Sequence, residues 1–130
     1  MEKCGIAVIG AGASGLMAAV CLAEGLHRRG SRERILLLDA AQKPGKKLLA
    51  TGNGRCNITN RHISVRKYYG DVKTARPILE KYPTQAVLDK FSSLGLLCRE
   101  EDEGRIYPYS AQASAVLDVL RFRLDALGAE

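Results

Sequence analysis

Residues Lys3–Gly15 read KCGIAVIGAGASG, and this stretch decides the fold. A short apolar run containing Ile and Val stops at a glycine, which favours a buried strand over a helix. Gly10, Gly12 and Gly15 then follow as G-x-G-x-x-G. From Ala13 the chain turns rich in Ala and Leu. Leu16, Val20 and Ala23 fall at helical spacing and Gly30 is a natural stop. Gly25 interrupts this helix and predicts an irregular last turn. Arg34–Asp39, RILLLD, repeats the buried-strand pattern and ends in a carboxylate. Strand, glycine turn, helix and strand make a βαβ unit over residues 3–39, with parallel strands and a right-handed crossover.

Each glycine of the turn has its own task. Gly10 permits the tight exit from the strand. Gly12 lets the backbone approach a pyrophosphate with no Cβ in the way, and Gly15 lets the helix pack close to the strand. The free N–H groups around Ala13 and Ser14 then face a diphosphate at the positive end of the helix dipole. Asp39 is placed to accept hydrogen bonds from ribose hydroxyls. It lies 24 residues after Gly15, against the roughly 20 of the usual dinucleotide pattern, and the extra residues fit into Leu26–Glu33. A carboxylate there disfavours a ribose 2′-phosphate, which leaves FAD and NAD as candidates.

Beyond Asp39 the alternation ends. Residues 41–73 show no sustained period of 2 or 3.6, and so long an irregular stretch in a compact domain is usually functional or wrapped around a ligand. Thr84 is a plausible N-cap for a helix whose inner face is Val87, Leu88, Phe91 and Leu94, ended by Gly95. Leu96–Arg99 and Arg105–Tyr109 read as a hairpin turning at Asp102-Glu103-Gly104. Ser110 caps a last helix with Ala113, Val116, Leu117, Leu120, Leu124 and Leu127 as its stripe. The reading is thus a βαβ unit over 3–39, a loop over 41–73 and a helix–hairpin–helix over 76–128. The last helix has no third parallel strand after it, and a two-stranded parallel sheet is poorly covered, so the domain reads as incomplete.

Composition narrows the class. The 130 residues are 46% apolar and 26% charged, an ordinary globular mixture. No apolar run approaches the roughly 20 residues that span a bilayer. The N-terminus lacks a signal peptide's layout, which points to the cytoplasm. The net charge of +6 is concentrated between Ala41 and Lys81, where ten Lys or Arg face only Asp71 and Glu80. Such a zone suits a phosphate-bearing cofactor, an anionic substrate or plain solvent. With no helix or sheet to form a reading surface, Tyr68, Tyr69 and the cations around them do not indicate nucleic acid. Cys4, Cys21, Cys56 and Cys98 form no Cys-x-x-Cys pair, and His27 and His62 stand alone, so metal ligation has no support. Cys4, Cys21 and Cys98 read as small buried apolar residues.

Leu48–Asn60, LLATGNGRCNITN, is too rich in glycine for a helix and too polar for a core. Together with VIGAGASGLMAA, DAAQKPGKKLLATGNGRCNITN and GRIYPYSAQAS, it resembles the BaiN-like bacterial NAD(P)/FAD-dependent oxidoreductases, a group that includes aminoacetone oxidases. The resemblance runs from Gly5 to about Gly128. It implies a Rossmann-like, glutathione-reductase-type α/β fold that is half of a split FAD-binding domain, with NAD(P)H as a possible reductant. By the same resemblance, Gly10, Gly12, Ala13, Ser14 and Gly15 hold the FAD diphosphate. Asp39 replaces the family's usual ribose-binding glutamate, and Lys47 lies along the adenosine side. Gly52, Asn53, Gly54, Arg55, Cys56 and Asn57 wrap the diphosphate and ribityl chain and lead towards the flavin. Family members are longer, with an inserted substrate domain and a returning C-terminal segment. The partners implied are FAD and either the remainder of the enzyme or another copy of the chain.

The residues themselves allow simpler roles. Glycines in this loop can turn N–H groups towards one anion, with Arg55 adding a forked charged contact, or the loop can be an ordinary turn. Cys56 has no second cysteine nearby in sequence and reads as a close-packed residue rather than a nucleophile. Asn57 and Asn60 either meet the flavin or brace the turn. Tyr107 and Tyr109 read as core. No side chain is an evident acid or base for a substrate. Two other functions stay in view: the NAD-binding domain of a simple dehydrogenase, which predicts a regular βαβαβ continuation after Asp39, and a catalytically silent fragment that needs a partner chain.

Overall fold

The computed structural model describes residues 5–130. Strands β1 (Ile6–Ile9) and β2 (Ile35–Leu38) run parallel, with Ile6 opposite Ile35 and Ile9 opposite Leu38. Lys3 and Cys4, which the sequence assigns to the first strand and to the buried cysteines, lie outside the described residues. Helix α1 (Ala13–Arg28) makes the crossover, and its buried Leu16, Ala19, Val20 and Ala23 form one stripe. Gly25 does not disturb it: a Cβ there would meet nothing, and the helix continues to Arg28. The end is a Schellman closure, with Ser31 N–H donating to the Leu26 carbonyl and Gly30 at φ 65°.

The segment over 41–73 is less irregular than the sequence suggests. It contains helix α2 (Lys46–Ala50), a 3-10 turn at Thr51–Gly54, strand β3 (Thr59–Asn60) and a second such turn at Val65–Lys67. Helix α3 (Val72–Lys81) was hidden by Pro77 inside it and by the lack of any buried residue. It is started by Asp71, whose Oδ1 accepts the N–H groups of Lys73 and Thr74. Helix α4 (Thr84–Ser93) has Pro83, not Thr84, at its N-cap position; the Thr84 hydroxyl instead donates to the Asn60 carbonyl (2.7 Å) and ties α4 to β3. Phe91 is the buried apolar anchor of α4.

Strands β4 (Cys98–Glu100) and β5 (Arg105–Pro108) form the predicted hairpin. β3 joins it to give an antiparallel sheet in the order β3-β5-β4. Helix α5 (Ala113–Ala126) packs on α1 and buries Ala113, Val116, Leu117, Leu120 and Leu124 of the stripe read from the sequence, while Leu127 sits at the C-cap and is only partly buried. Its N-cap is Gln112 rather than Ser110, whose hydroxyl accepts from Gln112 N–H in the preceding turn. After α5 the chain rejoins the parallel sheet. Glu130 N–H donates to the Ile35 carbonyl (3.0 Å) and the Glu130 carbonyl accepts from Leu37 N–H (2.7 Å). These bonds have the parallel-ladder pattern and lay Glu130 along the edge of β2, but the parallel sheet itself has two strands and none follows α5, as the sequence leads one to expect. Cys21 is exposed and Cys98 only half-buried, against the expectation that both are core, whereas Cys56 is buried. Tyr107 is core, but Tyr109 is 66% exposed.

Candidate functional site

The glycine turn is built as its spacing requires. Gly10 has φ 101°, a left-handed conformation that disfavours a side chain. A Cβ on Gly15 would clash with the Gly10 carbonyl oxygen at far less than van der Waals contact, so α1 starts in direct contact with the end of β1. A Cβ on Gly12 would meet nothing. That glycine borders open space, as expected where a ligand approaches the backbone. Gly12 is also the N-cap of α1 and contributes no side-chain bond; the first turn carries no acid. The N-terminal N–H groups, with exposed Ala13 and Ser14, therefore present an end that no side chain caps.

Asp39 follows β2 and is fixed from two sides. Ala41 N–H donates to its Oδ1 (2.7 Å) and Ala11 N–H donates to its Oδ2 (2.5 Å). These two bonds, Ala41's first, hold its carboxyl below the usual carboxylate range. Each oxygen keeps a lone pair for a hydroxyl donor. Asp39 thus braces the glycine turn as well as facing a cavity of about 380 Å³ lined by Ala11, Leu38, Ala41, Pro44 and Arg121. Ala11 and Arg121 escaped the sequence reading, because neither the backbone bond nor the approach of α5 has a local signature. Lys47 is exposed on α2 and lines neither this cavity nor the larger one.

The second motif is a tight left-handed turn. Gly52, Asn53, Gly54 and Cys56 have φ of 55°, 55°, 81° and 59°. A Cβ on Gly52 would lie 2.7 Å from Asn57 N and 3.1 Å from the Tyr107 ring. Thr51 Oγ1 donates to the Leu48 carbonyl, and Cys56 N–H to the Thr51 carbonyl. Cys56 is buried. The Cys98 thiol is pushed up, by burial first and by neighbouring Cys56 second. The Asn57 amide nitrogen, oriented to satisfy its neighbours, donates to the Thr59 and Ile106 carbonyls. Arg55 donates to Glu101 (2.8 Å) and lies over the Tyr107 ring, 4.1 Å from its centroid.

A mainly apolar cavity of about 820 Å³ brings the two motifs together. Ala13, Ser14 and Met17 of α1 form one wall, and Thr51, Cys56 and Asn57 form another. Lys81 and Tyr82 at the end of α3 and Phe91 of α4 complete it. Phe91 was legible only as the inner face of its helix, and nothing in the sequence marks Lys81 or Tyr82, since these helices approach only through tertiary packing. Gly52, Asn53, Gly54 and Arg55 do not line it. Among the described residues no cluster of three His, Cys, Asp or Glu is arranged to hold a metal, and no helix is long and apolar enough to cross a membrane.

Several known proteins resemble this chain in sequence. The chain is 41% identical over 120 residues to a 3-dehydro-bile acid delta(4,6)-reductase of Clostridium scindens, covering 92% of this chain and 28% of that protein. It is 27% identical over 121 residues to a ribosomal RNA dihydrouridine synthase of Escherichia coli, covering 92% and 28%. For a protein of the same name from Haemophilus influenzae the values are 28% over 127 residues, covering 95% and 29%. The chain thus spans less than a third of the length of these curated relatives. The HI0933-like protein Rossmann domain matches residues 4–130. The chain belongs to that family, and the family's Rossmann domain takes in the βαβ unit and the rest of residues 4–130.

Proposed function

We propose that this chain is the FAD-binding part of a flavin-dependent oxidoreductase of the BaiN-like group. It binds the diphosphate at Gly10, Gly12, Ala13, Ser14 and Gly15 and the adenosine ribose at Asp39. The observation that carries this reading is the 820 Å³ apolar cavity in which the uncapped start of α1 meets Thr51, Cys56 and Asn57. A diphosphate at the helix start has an acid-fixed ribose site on one side and a ring-sized apolar cavity on the other. That sequence of environments matches adenosine, diphosphate and isoalloxazine. A simple NAD domain predicts a regular βα continuation after Asp39, yet the chain instead inserts α2, the left-handed turn and the antiparallel sheet before returning at Glu130.

When bound, FAD supplies hydride or electron transfer, and NAD(P)H is the candidate reductant. This chain's residues bind, orient and shield it: first-turn N–H groups meet the diphosphate, Asp39 accepts from ribose hydroxyls, and Met17, Phe91 and Val87 keep the ring site apolar. The relatives' names describe a reductase and a dihydrouridine synthase, which supports a reductive half-reaction for the whole protein. Calorimetric titration with FAD and with NAD tests the assignment. Tight FAD binding with none for NAD is expected; the reverse order overturns it.

A further inference from the structure

The residue with the most obvious charge for a phosphate, Arg55, is already engaged. Its guanidinium donates to Glu101 Oε2 at 2.8 Å, with the two side chains 38% and 25% exposed. Its flat face lies on Tyr107, which is buried. Glu101 is held in turn by Arg99 (2.8 Å) and by its own N–H, which donates to the Arg105 carbonyl. Arg55 raises the acidity of Glu101, and Glu101 tightens the proton on Arg55. The turn beside it is costly to hold. Asn53 and Cys56 are non-glycine residues in left-handed conformation, which persists only where the surroundings over-determine it. The Tyr107 ring meets this turn twice, under the Arg55 guanidinium and 3.1 Å from where a Cβ on Gly52 would stand.

We propose that Arg55 is a positioning residue: a latch on Glu101 and Tyr107 that fixes the left-handed Gly52–Cys56 turn, rather than a ligand of the cofactor's phosphates. The latch joins the second motif to the β4–β5 hairpin, so the cradle's shape depends on a sheet that makes no contact with the glycine turn's own strands in either ladder. Its effect on cofactor retention rests on the FAD reading above; its effect on the turn does not.

Glu101→Gln separates the two roles, because they predict opposite signs. If Arg55 is a latch, the variant loosens the turn, amide exchange of residues 52–57 quickens without cofactor, and FAD dissociates about fivefold faster. If Arg55 is a phosphate ligand, removing its competing acid leaves FAD retention equal or tighter, and that result overturns the proposal. Arg55→Lys keeps the charge but loses the fork and the stack, so it should quicken the same exchange; unchanged exchange in both variants also overturns it. Should the unmodified chain retain no FAD, the FAD reading fails while the exchange measurement still decides the latch.

Discussion

At the scale of single residues, two glycines three positions apart answer to different demands. Gly15 faces the Gly10 carbonyl oxygen, so Gly15→Ala must push α1 off β1. A loss of about 1–3 kcal/mol in urea unfolding is predicted. Gly12 faces open space, so Gly12→Leu should leave stability within about 0.5 kcal/mol while abolishing flavin retention. Finding the two losses exchanged contradicts the placement of the cradle. Asp39 gives a pH signature. Its folded pKa is lowered by the Ala41 and Ala11 N–H groups. The stability it contributes is therefore present above its unfolded value of about 3.9 and lost as pH falls through the lower folded one. The stability gap between the parent chain and Asp39→Asn should be constant above about pH 5 and close in stronger acid; a gap that widens in acid refutes the bracing bonds. The glycine spacing was legible because each task is local. The bracing by Asp39 was not, because Ala11 contributes only an N–H group and every residue type but proline supplies one.

At the scale of elements, α1, α4 and α5 meet over one half-buried acid. Glu24 of α1 accepts from Lys90 of α4 and from Arg123 Nε of α5 (3.0 Å), with 12% of its side chain exposed. Burial raises its pKa, but the two cations outweigh this and hold it below the ordinary value. Glu24→Gln leaves two cations facing each other across the helices. A loss of about 1–2 kcal/mol is predicted, read by denaturant unfolding at neutral pH; no loss means the helices are held by apolar packing alone. The apolar stripes of α1 and α5 and the hairpin were readable from periodicity and turn residues. Helix α3 was not: it buries nothing, so no stripe marks it, and Pro77 argues against it. Residue type marks both Thr84 and Ser110 as caps, but the Thr84 hydroxyl reaches a tertiary carbonyl at Asn60 and Ser110 serves the turn before its helix.

At the scale of the molecule, the parallel sheet and the antiparallel sheet are separate frames, and the cofactor reading needs both. The first supplies Gly10–Gly15 and Asp39; the second carries Glu101 and Tyr107, which hold the Gly52–Cys56 turn. The fold class was legible because the βαβ unit is contiguous in sequence. The large cavity was not, since its walls come from α1, α3, α4 and the second motif, segments that converge only in three dimensions. The bonds of Glu130 to Ile35 and Leu37 have no signature in the sequence for a similar reason: a single residue has no periodicity. The central claim, that the two motifs close over one FAD, is tested most directly by the visible absorbance of the purified chain after incubation with FAD and gel filtration. Retained flavin absorbance, lost in Gly12→Leu, is predicted. A colourless wild-type chain that binds NAD instead contradicts the account.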